Sequence, residues 1–167
     1  MTNIRRYFRE NDIVFITNVT YNRIPILIDN FDLLWNAIQK HIINESVELI
    51  AWSVLPDHFH LLLSSNNINI SNLMRKIKLS FSGNYRVAHK MKSGRIWQYR
   101  FWDHVIRNQE DLNRHIDYIH YNPVKHKIVG NPIKWKYSSF HKYRSEGFYS
   151  DDWGVKEKLK FNFDFGE

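Results

Sequence analysis

Residues 47–64, VELIAWSVLPDHFHLLLS, contain the clearest fold signal in the sequence. This stretch contains two apolar runs separated by Pro56-Asp57, a pair of residues typical of tight turns. We therefore predict two antiparallel strands, Val47–Leu55 and His58–Ser64. The first run is continuously apolar, which indicates a central strand buried on both faces.

Further strands and helices flank this hairpin on both sides. Runs of β-branched and aromatic residues predict the strands Asp12–Tyr21 and Phe101–Arg107. Apolar residues at helical spacing predict helices from an Asn30 cap to Ile43, from a Ser71 cap to an end near Gly83-Asn84, and from an Asn108 cap to Tyr121, before Asn122-Pro123. The order β-α-β-β-α-β-α predicts an α+β, ferredoxin-like split βαβ fold. Its central antiparallel sheet has helices on one face, plus a C-terminal helix.

Length and composition restrict the kind of protein. We expect residues 1–167 to form a single domain, because no repeat or linker is apparent, with residues 131–167 as a basic and aromatic C-terminal extension. The chain has no cysteine, which excludes disulfides and thiolate metal sites. No apolar run approaches the roughly 18 residues of a membrane span, and the amino terminus lacks a signal-peptide core. We therefore expect a cytoplasmic protein with no membrane partner.

The charge and the aromatic content together indicate a nucleic-acid partner. The formal net charge is +7, and 16% of the residues are aromatic. Cations contact phosphates while rings stack on unpaired bases, so interleaved basic and aromatic residues favour single-stranded nucleic acid. For any one of these residues, a solvated charge or a core ring is the alternative. The candidates are Arg5, Arg6, Tyr7, Arg75, Lys76, Arg95, Arg100, Lys125 and Lys127.

Two histidines on the predicted strand after the turn form a candidate metal pair. Alternate side chains of a strand share a face, so His58 and His60 project together, about 6–7 Å apart along the strand. Phe59 then points into the core. Two imidazoles so placed can share one divalent ion, although this spacing also arises by chance between structural histidines.

The last predicted helix carries a tyrosine and an amide on one face. Four helical residues turn about 400°, so Tyr118 and Asn122 lie one turn apart. His115 continues the same stripe toward the amino end, and His104, on the strand before the helix, is a second possible site-lining histidine. Taken alone, the helix is also compatible with a half-buried tyrosine and an Asn that only ends it.

Together these residues predict metal-dependent chemistry on a phosphodiester. Mg²⁺ or Mn²⁺ bound by two imidazoles and an amide oxygen keeps positions open for phosphate oxygens. The phenol of Tyr118 could then attack phosphorus, giving a phosphotyrosine ester that conserves the energy for rejoining. A phenol has a pKa near 10, so it needs a nearby cation or base. A phenol buried away from the pair, with no movement to bring it in, would contradict this prediction.

The motifs resemble those of a known family. The strand HFH (58–60), Trp97-Gln98 with Arg100–His104, and the run Tyr118–Val124 are similar to the single-tyrosine HUH transposases, most of all the REP-associated tyrosine transposases of bacteria. The resemblance extends from Arg5 to about Trp153.

The resemblance implies a function and roles for these residues. It implies a transposase that cleaves and rejoins single-stranded DNA at hairpin, REP-like sequences. In this role His58, His60 and Asn122 bind the metal, and Tyr118 becomes linked to a 5′ phosphate. Tyr118 rather than Tyr121 matches the family position, whereas many relatives carry Gln where this chain has Asn122. C-terminal extensions of the family help to bind DNA or regulate access to it, and relatives are monomers or dimers.

Two other functions remain open from the sequence. A water-using, metal-dependent nuclease would need Tyr118 only to position the phosphate. A non-catalytic DNA-binding regulator derived from a transposase would need no working site, although His58, His60, Tyr118 and Asn122 are all present.

Overall fold

A computed structural model of the chain, which describes residues 11–156 and 158–167, contains one four-stranded sheet. The strands are β1 (Ile13–Val19), β2 (Leu49–Val54), β3 (His58–Ser64) and β4 (Trp102–Val105). They lie in the order β2-β3-β1-β4, and each neighbouring pair is antiparallel. The helices are α1 (Phe31–Asn44), α2 (Ile70–Ala88), α3 (Gln109–Lys125) and α4 (Phe140–Ser145). The predicted α+β class and element order are confirmed. The candidates Arg5, Arg6 and Tyr7 lie outside the described residues.

The position of β2 in the sheet differs from the prediction. Its apolar sequence indicated a central strand, but β2 lies at the edge and β3 and β1 are central. Both faces of β2 are nevertheless covered, since Trp52 packs on Trp35 of α1 while Ala51 packs with residues of α3. The free edge is also protected: residues 137–139 run beside it and form backbone hydrogen bonds with Val54 and Trp52. The apolar sequence of β2 therefore reflects burial on both faces, by α1 and α3, rather than a central position in the sheet.

The two faces of the sheet have separate apolar cores. On one face, α1 and α2 bury residues such as Leu34, Ile38 and Ile77 against Phe59 of β3. On the opposite face, Tyr118 and Ile119 of α3 pack on Phe15, Ala51 and Leu62. Because successive side chains of β3 point to opposite faces, Phe59 lies in the first core, whereas His58 and His60 lie on the face covered by α3.

Helix α2 begins earlier and ends later than the sequence predicted. Asn69, not Ser71, is the N-cap residue, and its side chain accepts a hydrogen bond from the backbone N–H of Asn72. Gly83 does not interrupt the helix, which continues to Ala88. A Cβ at Gly83 would meet no atom within 4 Å. The glycine therefore lies on an open face and needs no unusual backbone conformation.

Helix α3 continues past Pro123, where the sequence predicted a stop. Proline lacks the N–H that would bond to Ile119, yet its restricted φ is compatible with a helix. The hydrogen bonds resume beyond it, because the N–H of His126 donates to the carbonyl of Asn122. The helix therefore extends to Lys125, which brings one more basic residue onto the tyrosine-bearing element.

The region after α3 packs back on this helix. A short 3₁₀ turn (Pro132–Lys134) leads through residues 137–139 at the β2 edge into α4. His120 of α3 is fully buried against this region, with Nε2 2.8 Å from Ser139 Oγ and Nδ1 3.0 Å from Tyr149 Oη. Among the described helices, none combines the length and apolarity required to cross a bilayer.

Candidate metal and tyrosine site

The paired imidazoles of β3 are buried, and neighbouring side chains orient them. The ring centroids of His58 and His60 are 5.1 Å apart. A carboxylate oxygen of Asp57 lies 2.6 Å from Nδ1 of His58, and the hydroxyl of Thr17 lies 2.9 Å from Nδ1 of His60. Because the Thr17 hydroxyl donates its proton to the carbonyl of Phe165, it accepts from Nδ1 of His60. Such contacts fix the tautomer and direct Nε2 toward the space beneath α3.

Helix α3 brings the predicted amide and phenol to the same place. The side-chain oxygen of Asn122 lies 3.2 Å from Nε2 of His58, and Asn122 is fully buried. The ring of Tyr118 meets the ring of His60 edge to face, with 5.5 Å between their centroids. The spacing of four residues along the helix thus puts both groups over the imidazole pair.

Glu167 enters the centre of this cluster from the far end of the chain. Its Oε1 lies 2.9 Å from Nε2 of His60 and 3.5 Å from Nε2 of His58, and it accepts a hydrogen bond from the amide of Asn122. Its Oε2 lies 2.8 Å from Nε2 of His126 and accepts a hydrogen bond from Lys125. One carboxylate therefore occupies the position where the predicted ligands converge.

The phenol of Tyr118 is covered by the segment that carries Glu167, residues 161–167. Phe165 stacks on it, Phe161 meets it edge to face, and Tyr118 is 0% exposed. A phosphate cannot reach the phenol while this segment is in place. The phenol still lies beside the imidazole pair, and two of the rings that cover it, Phe161 and Phe165, belong to this segment.

Burial and the nearby carboxylates shift the titration of the site. Burial lowers the pKa of His60 to about 4, which the carboxylate of Glu167 only partly offsets. At His58, burial acts in the same direction, but Asp57 and Glu167 outweigh it and raise the pKa above its usual range. Burial, together with Glu167, raises the pKa of the Tyr118 phenol. The phenol is therefore a weaker acid than usual in this closed arrangement.

The donor set fits a divalent cation. His58, His60 and Glu167 offer ligand atoms that all lie within 4.8 Å of one another. Bonds of about 2.0–2.2 Å from one ion place neighbouring ligands about 3 Å apart. The separations of 2.9, 3.2 and 3.5 Å among the imidazole, amide and carboxylate atoms are close to that value. Imidazole nitrogens and carboxylate oxygens are both ordinary ligands of divalent metal ions.

The structure separates His104 and His115 from this cluster. Their rings stack on each other with centroids 4.7 Å apart, and both contact Asp111. The ring of Phe15 lies against His115 on one side and His60 on the other. The two histidines therefore form a second group with Asp111, beyond the Phe15 ring.

Tyr121, the alternative nucleophile, points away from the imidazole pair. Its ring contacts Trp153 and Phe161. A Cβ atom at Gly154 would lie 3.0 Å from the Tyr121 ring. Gly154 has a φ of +74°, so glycine is favoured there for its backbone as well as for its size. Tyr121 therefore packs against the C-terminal region.

The basic candidates lie in several different environments. Arg75 is exposed and lines a pocket of about 280 Å³ between α2 and the loop before β4, together with Lys78, Trp97 and Tyr99. Arg95 lies over the ring of Tyr21. Lys76 forms an ion pair with Glu45. Arg100 and Lys127 are exposed, and Lys125 is part of the tyrosine site.

Several contributors to the site are not predicted from the sequence. Asp57 lies directly before His58 in the quoted motif, so its carboxylate could have been found from that position. From its charge, Lys125 is predicted only as a DNA contact. Glu167 lies 107 residues from His60, and no local pattern connects them.

Comparison with known proteins gives consistent matches. The family model described as Transposase IS200 like matches residues 11–122. The REP-associated tyrosine transposase of Escherichia coli is 36% identical over 156 residues, which cover 92% of this chain and 91% of that protein. A Haemophilus influenzae protein that carries the same name provisionally is 35% identical over 175 residues, covering 98% and 99% of the two chains. A solved structure of a REP-associated tyrosine transposase bound to a REP hairpin superposes with a TM-score of 0.84 at 35% identity, covering 100% of this chain and 98% of that one.

Proposed function

This chain belongs to the IS200-like transposase family, and we propose that it cleaves and rejoins single-stranded DNA through a bond between Tyr118 and a 5′ phosphate. The enzyme class, a tyrosine transposase, follows from the family. The roles of the individual residues are our proposal. His58, His60 and Asn122 bind the cation, and Tyr118 is the nucleophile.

One observation carries this assignment. The ring of Tyr118 lies 5.5 Å from that of His60, between centroids, while Asn122 on the same helix reaches His58 at 3.2 Å. A phosphate oxygen bound at the imidazole pair would therefore lie close to the phenol. Nucleophile and phosphate must approach to roughly 3–3.5 Å before reaction, and the position of Tyr118 and Asn122 on one face of α3 supports that approach once residues 161–167 have left.

In the proposed cleavage step, the bonds that form and break belong to the phenol and the DNA strand. The phenol oxygen of Tyr118 forms a bond to phosphorus as the bond from phosphorus to the 3′ oxygen breaks. The phenol proton leaves to solvent, and the departing 3′ oxygen takes up a proton, so no oxidation or reduction occurs. Rejoining is the reverse, in which a 3′ hydroxyl attacks the phosphotyrosine ester and releases the phenol.

Mg²⁺ or Mn²⁺ is the cation that we propose for the site, and its chemistry is to polarise the phosphate and neutralise charge at phosphorus. The residues of the chain prepare the ligands for it. Asp57 and Thr17 occupy Nδ1 of the two histidines. Burial lowers the pKa of His60 to about 4, which favours its neutral form, whereas Asp57 and Glu167 raise the pKa of His58, so a cation must displace a proton there. A neutral imidazole is the form that can bind a cation.

The DNA partner that we propose is a hairpin with a single-stranded flank. The similar solved transposase is bound to a REP hairpin. In this chain the exposed Arg75 and Tyr99 line one pocket, which joins a phosphate-binding group to a ring suited to base stacking. For the strand to reach Tyr118, it must replace residues 161–167. The phosphate would then take the position of the Glu167 carboxylate.

The test is formation of a covalent adduct. The protein is incubated with Mn²⁺ and single-stranded hairpins from the DNA flanking its own gene. We expect a species of lower mobility on a denaturing gel, absent with Tyr118→Phe and retained with Tyr121→Phe. Adduct formation by Tyr118→Phe would contradict the assigned nucleophile.

Two other outcomes separate the remaining functions. Cleavage that persists in Tyr118→Phe without any adduct would identify a nuclease that uses water. Tight binding of hairpins without cleavage, in the wild type and with either Mn²⁺ or Mg²⁺, would identify a non-catalytic regulator.

A further inference from the structure

The ammonium group of Lys125 contacts the oxygen that we assign as the nucleophile. Its Nζ lies 2.9 Å from the phenol oxygen of Tyr118 and donates a hydrogen bond to it. The same nitrogen lies 4.8 Å from the centroid of the phenol ring. Lys125 thus combines a directed hydrogen bond with a cation–π contact on a single side chain.

The contact exists because α3 continues beyond Pro123. Seven helical residues turn about 700°, which is only about 20° short of two full turns. Tyr118 and Lys125 therefore lie on the same face, two turns apart. A lysine stem is long and flexible enough to cover that distance. A helix that ended at Tyr121 would have left Lys125 in a loop.

The electrostatic surroundings of the phenol make this cation important. The carboxylate of Glu167 would leave with residues 161–167 before the proposed reaction, whereas Lys125 belongs to α3 and would stay beside the phenol. Within residues 11–156 and 158–167, the positively charged side chain that contacts this oxygen is that of Lys125. A hydrogen bond from an ammonium to an anionic oxygen is about twice as strong as one between neutral groups.

We propose that Lys125 is a catalytic residue, whose ammonium stabilises the negative charge on the Tyr118 oxygen as this oxygen attacks phosphorus and as it leaves again. The inference rests on the proposed function and adds a role to it. Lys125 keeps its proton throughout. The bond between oxygen and phosphorus forms as the bond to the 3′ oxygen breaks, and the phenol proton passes to solvent.

Glu167 also holds this lysine in the closed arrangement. Oε2 of Glu167 accepts a hydrogen bond from the same ammonium that donates to Tyr118. An ammonium has three donors, so it can serve both groups at once. When residues 161–167 leave, one donor becomes available for the phosphate that replaces the carboxylate. Lys125 would then bridge the nucleophile and the scissile phosphate.

The experiment compares Lys125→Met with Lys125→Arg in the full chain. Single-turnover adduct formation is measured with Mn²⁺ at saturating hairpin, and hairpin affinity is measured separately. We expect Lys125→Met to lower the first-order rate by about 10- to 100-fold, the range for loss of one hydrogen bond to a charged group. We expect Lys125→Arg to recover most of the rate. Lys40→Met, on α1 at the opposite face of the sheet, removes the same charge and should change neither quantity.

Loss of Lys125 also releases Glu167, so each comparison is repeated in a Glu167→Gln background. An unchanged rate for Lys125→Met in that background would overturn the inference. A loss of hairpin affinity with no change in the rate would also overturn it. Absence of any adduct from the wild type would instead contradict the proposed function itself.

Discussion

The ring of Tyr118 lies nearly parallel to the ring of Phe165, with 3.5 Å between their centroids and 7° between their planes. Phe165 is itself buried, and its carbonyl accepts a hydrogen bond from Thr17, the residue that also orients His60. The proposed nucleophile and one proposed metal ligand are therefore covered by the same short segment. The reaction that we propose at Tyr118 therefore requires that residues 161–167 leave first.

Substitution Phe165→Ala should accelerate the reaction. The stacked ring pair contributes about 0.5–1.5 kcal/mol beyond the area that it buries, and its loss favours departure of the segment. We expect adduct formation to rise on the order of 10-fold, since about 1.4 kcal/mol corresponds to that factor. The measurement is the initial rate of adduct formation with Mn²⁺ and a hairpin.

Phe163→Ala is the matched control for this prediction. Phe163 lies two residues away in the same segment, but it is 57% exposed and lies under the guanidinium of Arg114. Its substitution should leave the rate within about twofold of the wild type, as expected for a surface change. Equal acceleration by both variants would mean that stacking on Tyr118 does not hold the segment.

Metal binding should depend on the imidazole pair. We expect Mn²⁺ to raise the thermal unfolding temperature of the wild type, since a ligand that binds only the folded state stabilises it. His60→Ala should abolish this increase, because one of two nitrogen ligands is lost. The readout is the unfolding temperature with and without Mn²⁺. His41→Ala removes a histidine from α1 on the other face of the sheet. Mn²⁺ should raise the unfolding temperature of this variant as much as that of the wild type.

The sequence predicted the parts of the site that depend on local periodicity. Alternation along His58–Ser64 placed both imidazoles on one face, and the four-residue spacing of Tyr118 and Asn122 placed them on one side of α3. Lys125 was missed for a local reason, because Pro123 was predicted to end the helix. Phe165 and Glu167 could not be found, since they meet the site from more than 40 residues away along the chain. No short-range pattern encodes that contact.

Binding of single-stranded DNA should depend on Tyr99. This ring is 78% exposed beside Arg75 and Lys78, so it is available to stack on an unpaired base. Tyr99→Ala should weaken binding by about 1–3 kcal/mol, the range for one base stacked on an aromatic ring. The measurement is hairpin affinity at fixed salt. Ile43→Ala changes a similarly exposed apolar residue on α1, and a comparable loss there would contradict a specific role for Tyr99.

Stability should fall in mild acid because of His120. Burial lowers the pKa of His120 to about 3, whereas an unfolded chain has a histidine pKa of about 6.5. Between these values the unfolded chain binds a proton that the folded chain excludes, so the free energy of unfolding decreases as pH falls below about 6.5. His120→Gln should remove about 1.4 kcal/mol per pH unit from this slope between pH 6 and 4, leaving the contribution of the similarly buried His60. Denaturant unfolding at several pH values measures this pH dependence of the free energy of unfolding.

His89→Gln removes an exposed histidine and is the control for this prediction. An unchanged slope in His120→Gln would show that His120 takes up its proton without unfolding of the chain.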